Sequence, residues 1–314
     1  MTQPLVTILI VSYNQGDYIR ESIESAISQT YPNTEILLVD DGSTDHTLSV
    51  VRSMEEQGMN FKKILIEKSI GYCKAFNRGF SMSKGQYLID LAADDLLLPE
   101  RVAAGVASLL TSNAGVDFCD AYYIDEKSKI QGTHYQRDAR GRITEPVKDG
   151  DVFTEVLRRY YICTPSMFID RKVLNRLSGY DQSLYYEDFD FWVRSSRYFN
   201  YHFTDKILVK KRVHKHSMSK SQYLPSSKML PTTLRVCQKA YELCRNPEEF
   251  RALAVRLRYE IRQAVICGNN RVANDLNEIL AAINHDSIEA RLWGWLISLN
   301  IDLSFLTKFI GKAR

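Results

Sequence analysis

Residues 88 to 100 read LIDLAADDLLLPE, an apolar run that ends abruptly in two adjacent carboxylates, Asp94 and Asp95. Tyr87 to Leu91 reads as a short buried strand, and Pro99-Glu100 makes a good first turn for a helix from Arg101 to Leu110. The acids therefore fall at the carboxyl edge of a strand. Two ionised carboxylates about 4 Å apart repel by roughly 4 kcal/mol at an effective dielectric of about 20, so in a crevice they call for a cation between or beside them. Mg2+ or Mn2+ meets that demand. The bland alternative is a solvated turn in which one acid caps the following helix.

Working back from this stretch, Val6 to Val11 is a continuous β-branched and apolar run, as expected of a strand buried on both faces of a parallel sheet. It ends at Ser12-Tyr13-Asn14. Helical spacing of Ile19, Ile23 and Ala26/Ile27 predicts a helix over 17–30, stopped by Tyr31-Pro32-Asn33. Glu35 to Val39 is a second strand running into Asp40-Asp41-Gly42-Ser43-Thr44-Asp45, with Asp45 or Ser43 placed to cap the next helix. Ile64 to Ile66 is a third strand, and a helix over Cys73–Met82 leads to the acidic stretch. Strands alternating with helices of this length predict an α/β, doubly wound, parallel sheet, whose ligands bind at the carboxyl ends of the strands. Three of those ends are polar here. Neither Gly-x-Gly-x-x-Gly nor the Gly-x-x-x-x-Gly-Lys-Ser/Thr loop occurs, so the usual phosphate cradles are missing and a metal is the expected substitute.

The 314 residues, 45% of them hydrophobic, suffice for one large α/β domain with an appendage. Net charge is +3, and from Pro225 onward 13 Lys and Arg face 9 Asp and Glu, so the excess is C-terminal. Six cysteines, at 73, 119, 163, 237, 244 and 267, include no Cys-x-x-Cys, which argues against zinc or a disulfide framework and for a reducing, cytoplasmic setting. MTQPLVTILIVSYN lacks a basic n-region and its apolar run is only strand-length, so neither a signal peptide nor a membrane anchor is expected.

Further along, Asp117 to Ile124 reads as a strand and 127–150, rich in Lys, Gly, Arg and Asp, as a mobile surface loop. Asp170 caps a short helix to Leu177, ended by Gly179. Glu187 and Asp188 then open a helix to about Tyr198, where their plain reading is capping and the helix start favours their charged forms. Residues 206–220 hold Lys210, Lys211, Arg212, Lys215 and Lys220 with His214 and His216 in alternation. This is either a solvated loop or a segment that closes Arg212 and a histidine over a diphosphate and its metal, and alternation leaves both histidines open as the ligand. From Pro231 the pattern is helical, with Asn246-Pro247-Glu248-Glu249 a strong start. Leu292 to Ile297 and Leu303 to Ile310, beside Lys308, Lys312 and Arg314, are candidates for peripheral membrane contact, for packing on the catalytic domain, or for a homo-oligomer contact. Basic-plus-aromatic interleaving is absent, so no nucleic acid partner is expected.

Collectively these motifs resemble family 2, GT-A fold, inverting glycosyltransferases that build bacterial surface polysaccharides. VTILIVSYNQGDYIRESIESAISQTYPNTEILLVDDGSTDHT, residues 6 to 47, is similar to the family's opening block almost throughout, and Ala75-Phe76-Asn77-Arg78-Gly79 with Asp94-Asp95 resembles its next. Gly179 to Trp192 resembles the acceptor-side block, and Lys211-Arg212-Val213-His214 the Arg-x-His segment. The family's metal motif usually opens with an acid where this chain has Ala92, which reduces the ligand count from that stretch. The likeness covers about residues 4 to 220 and implies a catalytic domain over 1–224 with a helical region over 225–314. It further implies that Tyr13 and Asp41 hold the nucleotide base, Asp94 the ribose, and Asp95 a Mn2+ or Mg2+ ion bridging the diphosphate. His214 is then a second metal ligand, Arg212 a diphosphate partner, and Asp188 the catalytic base. A nucleotide diphosphate sugar, UDP-linked first and dTDP-rhamnose as its rival, is the implied donor, and a glycan or lipid-linked glycan the acceptor.

Three other readings compete. A sugar nucleotidyltransferase wants a Gly-rich signature loop and a Lys near the N-terminus, and neither is present. Ile36 to Asp41 resembles the opening of a receiver domain, but that module is shorter and keeps its acidic pair near its start. An inactive nucleotide-binding relative is the third, given Ala92.

Overall fold

The computed structural model describes residues 3–215, 217–225, 227–283 and 288–299. In chain order its elements are β1 (Val6–Ser12), α1 (Ile19–Ile27), β2 (Thr34–Asp40), α2 (Thr47–Glu56), β3 (Lys62–Leu65), α3 (Tyr72–Met82), β4 (Tyr87–Ala92), β5 (Leu96–Leu97), α4 (Arg101–Thr111), β6 (Val116–Ile124) and β7 (Ile130–Thr133). There follow α5 (Phe153–Arg158), β8 (Phe168–Asp170), α6 (Arg171–Leu177), α7 (Asp188–Ser196), β9 (Tyr201–Arg212), α8 (Met218–Ser221), α9 (Met229–Leu243), α10 (Pro247–Ile266), α11 (Asn270–Ile283) and α12 (Ile288–Ser298).

All nine strands form one sheet, ordered β3-β2-β1-β4-β8-β6-β9-β5 with β7 added on β6. Its first four strands are parallel, joined by helical crossovers as the alternating pattern requires. Beyond β4 the sheet is mixed: β8 runs antiparallel to β4 and β6, and β5 antiparallel to β9. All seven residues of β1 are buried, which is why this strand reads as unbroken hydrophobic sequence. Register does the positioning. Ser12 lies opposite Asp40, and Val11 opposite both Val39 and Ala92, so the three polar strand ends finish level with one another. Helix α3 lies close on the sheet at Gly79, where an added Cβ would meet Leu9 at 2.5 Å and Val39 at 2.8 Å.

Two compact units share the chain, one of Met1–Val152, Ile162–Ser183 and Tyr198–His214, the other of Phe153–Tyr161, Leu184–Arg197 and Lys215–Arg314. This differs from a single cut after residue 224. The reason is apolar: Phe153 and Leu157 of α5 and Phe189 and Val193 of α7 are buried in one cluster with Leu234, Leu257, Ile261 and Leu276 of the C-terminal helices. The sheet has its own cluster, built on Ile8, Ile10, Leu38, Ile89 and Leu91. Helix α10 starts as its sequence promises, Asn246 Oδ1 accepting from the amides of Glu248 and Glu249 at 3.0 Å.

Two expectations change. The segment 127–150 is not loop throughout, since β7 pairs with β6 within it. The lysine-rich segment is strand up to Arg212, with His214 just past its end. His216 and the apolar run over 303–310 lie outside the described residues. No described helix is long and apolar enough to cross a membrane. All six cysteines are free, and burial pushes the thiols of Cys119 and Cys163 up to about 12.

Candidate active site

The site is built where β1, β2 and β4 end. Asn14 adopts φ 54°, a left-handed conformation that asparagine tolerates, and this turns its Oδ1 toward the amides of Thr44 at 2.8 Å and Asp45 at 3.3 Å. Its own amide donates to Ser43 Oγ at 2.9 Å. The loops after β1 and β2 are thereby laced together. Tyr13, at 50% exposure, stands at their rim. Asp41 is buried and accepts from Ser69 Oγ at 2.7 Å, Ile70 N at 2.8 Å and Gly71 N at 3.0 Å, so it orders the segment that opens α3. Gly42 between them has φ 77°, and a Cβ there would strike Ser69 N at 2.6 Å.

The acidic pair faces the end of β9. Asp94 Oδ2 lies 3.0 Å from His214 Nε2, and His214 packs its ring 5.0 Å from that of Tyr18. Asp95 points inward, where its Oδ1 accepts from the backbone amide of Arg212 at 2.8 Å. Burial lifts the Asp95 carboxyl well above the ordinary range; the charge of Asp94 lifts it further, and Lys211 and Arg212 act against this. A cation at the pair would reverse that balance.

Arg212 is itself buried, with its guanidinium 4.7 Å over the Tyr18 ring. It donates to Asp94 O at 3.0 Å, Asp125 O at 3.1 Å, Ser128 Oγ at 3.0 Å and Glu21 Oε2 at 3.1 Å. Its donors therefore hold the Asp94-Asp95 segment in place. Glu21, Tyr18 and Ser128 were not legible as site residues, because nothing in their local sequence marks them.

Asp94, Asp95, Arg212 and His214 are thus brought together, with Asp41 and Tyr13 at the neighbouring strand ends. Asp188 belongs to the second unit, where it opens α7 and its Oδ1 accepts from Phe189 N at 2.6 Å. Two residues on, Asp190 is buried between Arg194 Nε and Lys239 Nζ, each at 2.6 Å. Successive helical residues are about 100° apart, so Asp188 and Asp190 project to opposite sides and the clamp on one fixes the direction of the other.

Among the described residues no group of three or more His, Cys, Asp or Glu gathers as a metal site. Asp94 Oδ2 and His214 Nε2, 3.0 Å apart, nevertheless offer a carboxylate and an imidazole side by side, which fits Mg2+ or Mn2+, ions that take few protein ligands and complete their shell with phosphate oxygens and water. Asp94, beside His214, joins Asp95 as a residue that would hold the ion.

A mixed sheet with helices on it and an acidic pair at the strand ends is the arrangement of the GT-A fold. The family model described as "Glycosyl transferase family 2" matches residues 7–177, and the chain belongs to that family. It is 31% identical over 214 residues to an uncharacterized glycosyltransferase of Rickettsia typhi, a match covering 67% of this chain and 64% of that one. A Haemophilus influenzae glycosyltransferase is 28% identical over 231 residues, covering 69% and 68%. The fold is also that of S. aureus TarS 1-349 in complex with UDP-GlcNAc, at TM-score 0.71 and 15% identity over 98% of this chain and 91% of that one. The mannosyltransferase PcManGT from Pyrobaculum calidifontis, in complex with GDP-Man and Mn2+, gives 0.59 at 17% identity, covering 98% and 88%.

Proposed function

We propose that this glycosyltransferase is metal-dependent and inverting, and moves a hexose or N-acetylhexosamine from a nucleotide diphosphate sugar to a growing glycan or lipid-linked glycan in surface polysaccharide synthesis on the cytoplasmic side. UDP is the first choice of nucleotide and dTDP the second. The observation that carries this reading is the convergence of Asp94, Asp95, Arg212 and His214 at the level ends of β1, β2 and β4. The nucleotide-sugar complexes of TarS and PcManGT support the donor class, and the Mn2+ in the latter supports the metal.

In this reading Tyr13 and Asp41 hold the base, Asp94 meets the ribose, and Asp94, Asp95 and His214 hold the ion. When bound, the ion neutralises charge that develops on the departing diphosphate. Arg212 is the diphosphate partner in this reading, and its hydrogen bond to Asp94 O also keeps the acidic segment fixed. Asp188 takes the proton of the acceptor hydroxyl as that oxygen bonds to the anomeric carbon and the carbon's bond to the diphosphate oxygen breaks. Its role rests on the Glu187-Asp188 pair matching the family's acceptor block.

Calorimetric titration of UDP, dTDP and GDP, each with and without Mn2+, tests the donor site. Metal-dependent binding of one nucleotide is expected, and Asp95→Ala should remove the metal dependence. Binding without turnover against any sugar would support the inactive relative. Binding of none would refute the donor site.

A further inference from the structure

Helix α9 fastens the chain around Asp188 from both sides. Ahead of Asp188, Thr232 Oγ1 accepts from the amide of Tyr185 at 3.1 Å, and Thr233 Oγ1 lies 2.6 Å from the hydroxyl of Tyr186. Thr233 donates its own hydrogen to Met229 O at 3.2 Å, so Tyr186 is the donor in that pair. Beyond Asp188, Lys239 Nζ meets Asp190 Oδ1 at 2.6 Å. Thr232 and Lys239 are seven residues apart and so stand about 20° from each other around α9, with Thr233 about 100° from Thr232. All of these residues belong to the unit that contains the C-terminal helices.

Packing alone does not account for these bonds. Phe189 and Val193 of α7 are already buried in one cluster with Leu234 and Val236 of α9, and the guanidinium of Arg256 lies 4.6 Å over the Phe189 ring. Apolar contact is non-directional, whereas a hydrogen bond fixes the distance and angle of the group it holds. Thr232 and Thr233 are both buried in a helix, where threonine is a poor former and an alkyl side chain of the same size would pack as well. Their oxygens instead bind groups of the residues three and two places ahead of Asp188.

We propose that Thr232, Thr233 and Lys239 are positioning residues for Asp188, fixing the lead-in and first turn of α7 so that its carboxylate is held where the acceptor hydroxyl must lose its proton. The C-terminal helices are then part of the acceptor-side machinery and not an appendage to it. This deepens the transferase reading and rests on Asp188 as its base. A base displaced by about 1 Å loses much of its effect on the rate while the donor binds as before.

The test compares Thr232→Val, which keeps the shape and removes the oxygen, with Thr232→Ser, which keeps the oxygen and removes a methyl group. In hydrogen exchange on the full chain, Thr232→Val should speed the amides of residues 185–190 about tenfold and leave those of α10 and α11 unchanged, and Thr232→Ser should restore the parent's rates. With UDP-GlcNAc as donor and p-nitrophenyl hexosides as acceptors, Thr232→Val should lower kcat about tenfold with the KM for UDP-GlcNAc unchanged, and serine should again rescue it. Lys239→Met, which leaves Arg194 on Asp190, should give the same split between kcat and KM. Unchanged exchange in Thr232→Val, or equal loss in the serine and valine variants, would overturn the proposal, the latter by showing that packing is what matters. Asp188→Asn is measured beside them. Parental turnover in Asp188→Asn would sink the base reading and this inference with it, whereas an inactive Asp188→Asn beside a fully active Thr232→Val would sink this inference alone.

Discussion

At the scale of single residues, two carboxyls make distinguishable predictions. Asp188→Asn should lower transfer by roughly a hundredfold to ten-thousandfold, the range of a general base, with nucleotide affinity nearly intact; a large loss of UDP binding would move Asp188 out of that role. Asp90 bears on stability instead. It sits inside β4 with the hydroxyls of Tyr72 and Tyr180 donating to it at 2.7 and 2.8 Å. Burial raises its carboxyl to about 6 and the two tyrosines act against this. A carboxyl whose folded value lies above its unfolded one binds its proton more tightly when folded, so it favours folding at low pH. That contribution is full below about 4, is lost as pH rises through about 6, and amounts to roughly 3 kcal/mol for a single isolated group. Stability measured by urea titration should therefore fall between pH 4 and 7, and Asp90→Asn should flatten that slope. An unchanged slope would place the titration elsewhere. An acid amid Leu88, Ile89 and Leu91 was a signal in the sequence, because a charge inside a buried strand demands partners.

At the scale of elements, what joins α4 to the sheet is a buried ion pair. Arg101 Nη1 donates to Asp117 Oδ2 at 2.9 Å, and its Nη2 to Ser166 O at 2.7 Å. Ser108 Oγ and Thr204 Oγ1 donate to the other oxygen of Asp117 at 2.7 and 2.6 Å, drawing in β9 as well. Removing one partner strands the other, so Arg101→Met should cost about 3 to 5 kcal/mol in urea titration while leaving UDP affinity unchanged at low temperature. A loss below about 1 kcal/mol would show the pair to be replaceable by packing. None of this was visible in the sequence, where Arg101 and Asp117 are ordinary charges 16 residues apart. The legible strands were β1, β2, β3, β4 and β6, and burial on both faces writes β1, β2 and β4 most plainly as apolar runs. β8 escaped because it has three residues, and β7 because it is mostly exposed. β9 escaped because Lys206, Lys210 and Lys211 mask its alternation. The acidic pair and His214 were legible as types. That Asp94 meets His214 while Asp95 accepts from the Arg212 amide depends on how β5 pairs with β9, which spacing does not encode.

At the scale of the whole molecule, two apolar clusters mean two sources of stability, and a ligand stabilises what it touches. Tyr13, Asp41, Asp94, Asp95, Arg212 and His214 all belong to the unit that contains the sheet. A nucleotide bound with Mn2+ at about 100 times its dissociation constant should add about 2.7 kcal/mol to that unit. In hydrogen exchange this is about a hundredfold slowing of those amides in β1, β2 and β4 that open only by unfolding of the unit. The Ile70 and Gly71 amides, held by Asp41, would report on the proposed base site directly. Helices α9 to α11, folded on their own cluster, should exchange at unchanged rates with nucleotide alone. An acceptor analogue should then slow the α7 amides, the helix that Asp188 opens and the Asp190 clamp holds. Uniform slowing of both sets by nucleotide alone would instead make the two units one cooperative body, and the acceptor helix would then be preorganised by the donor.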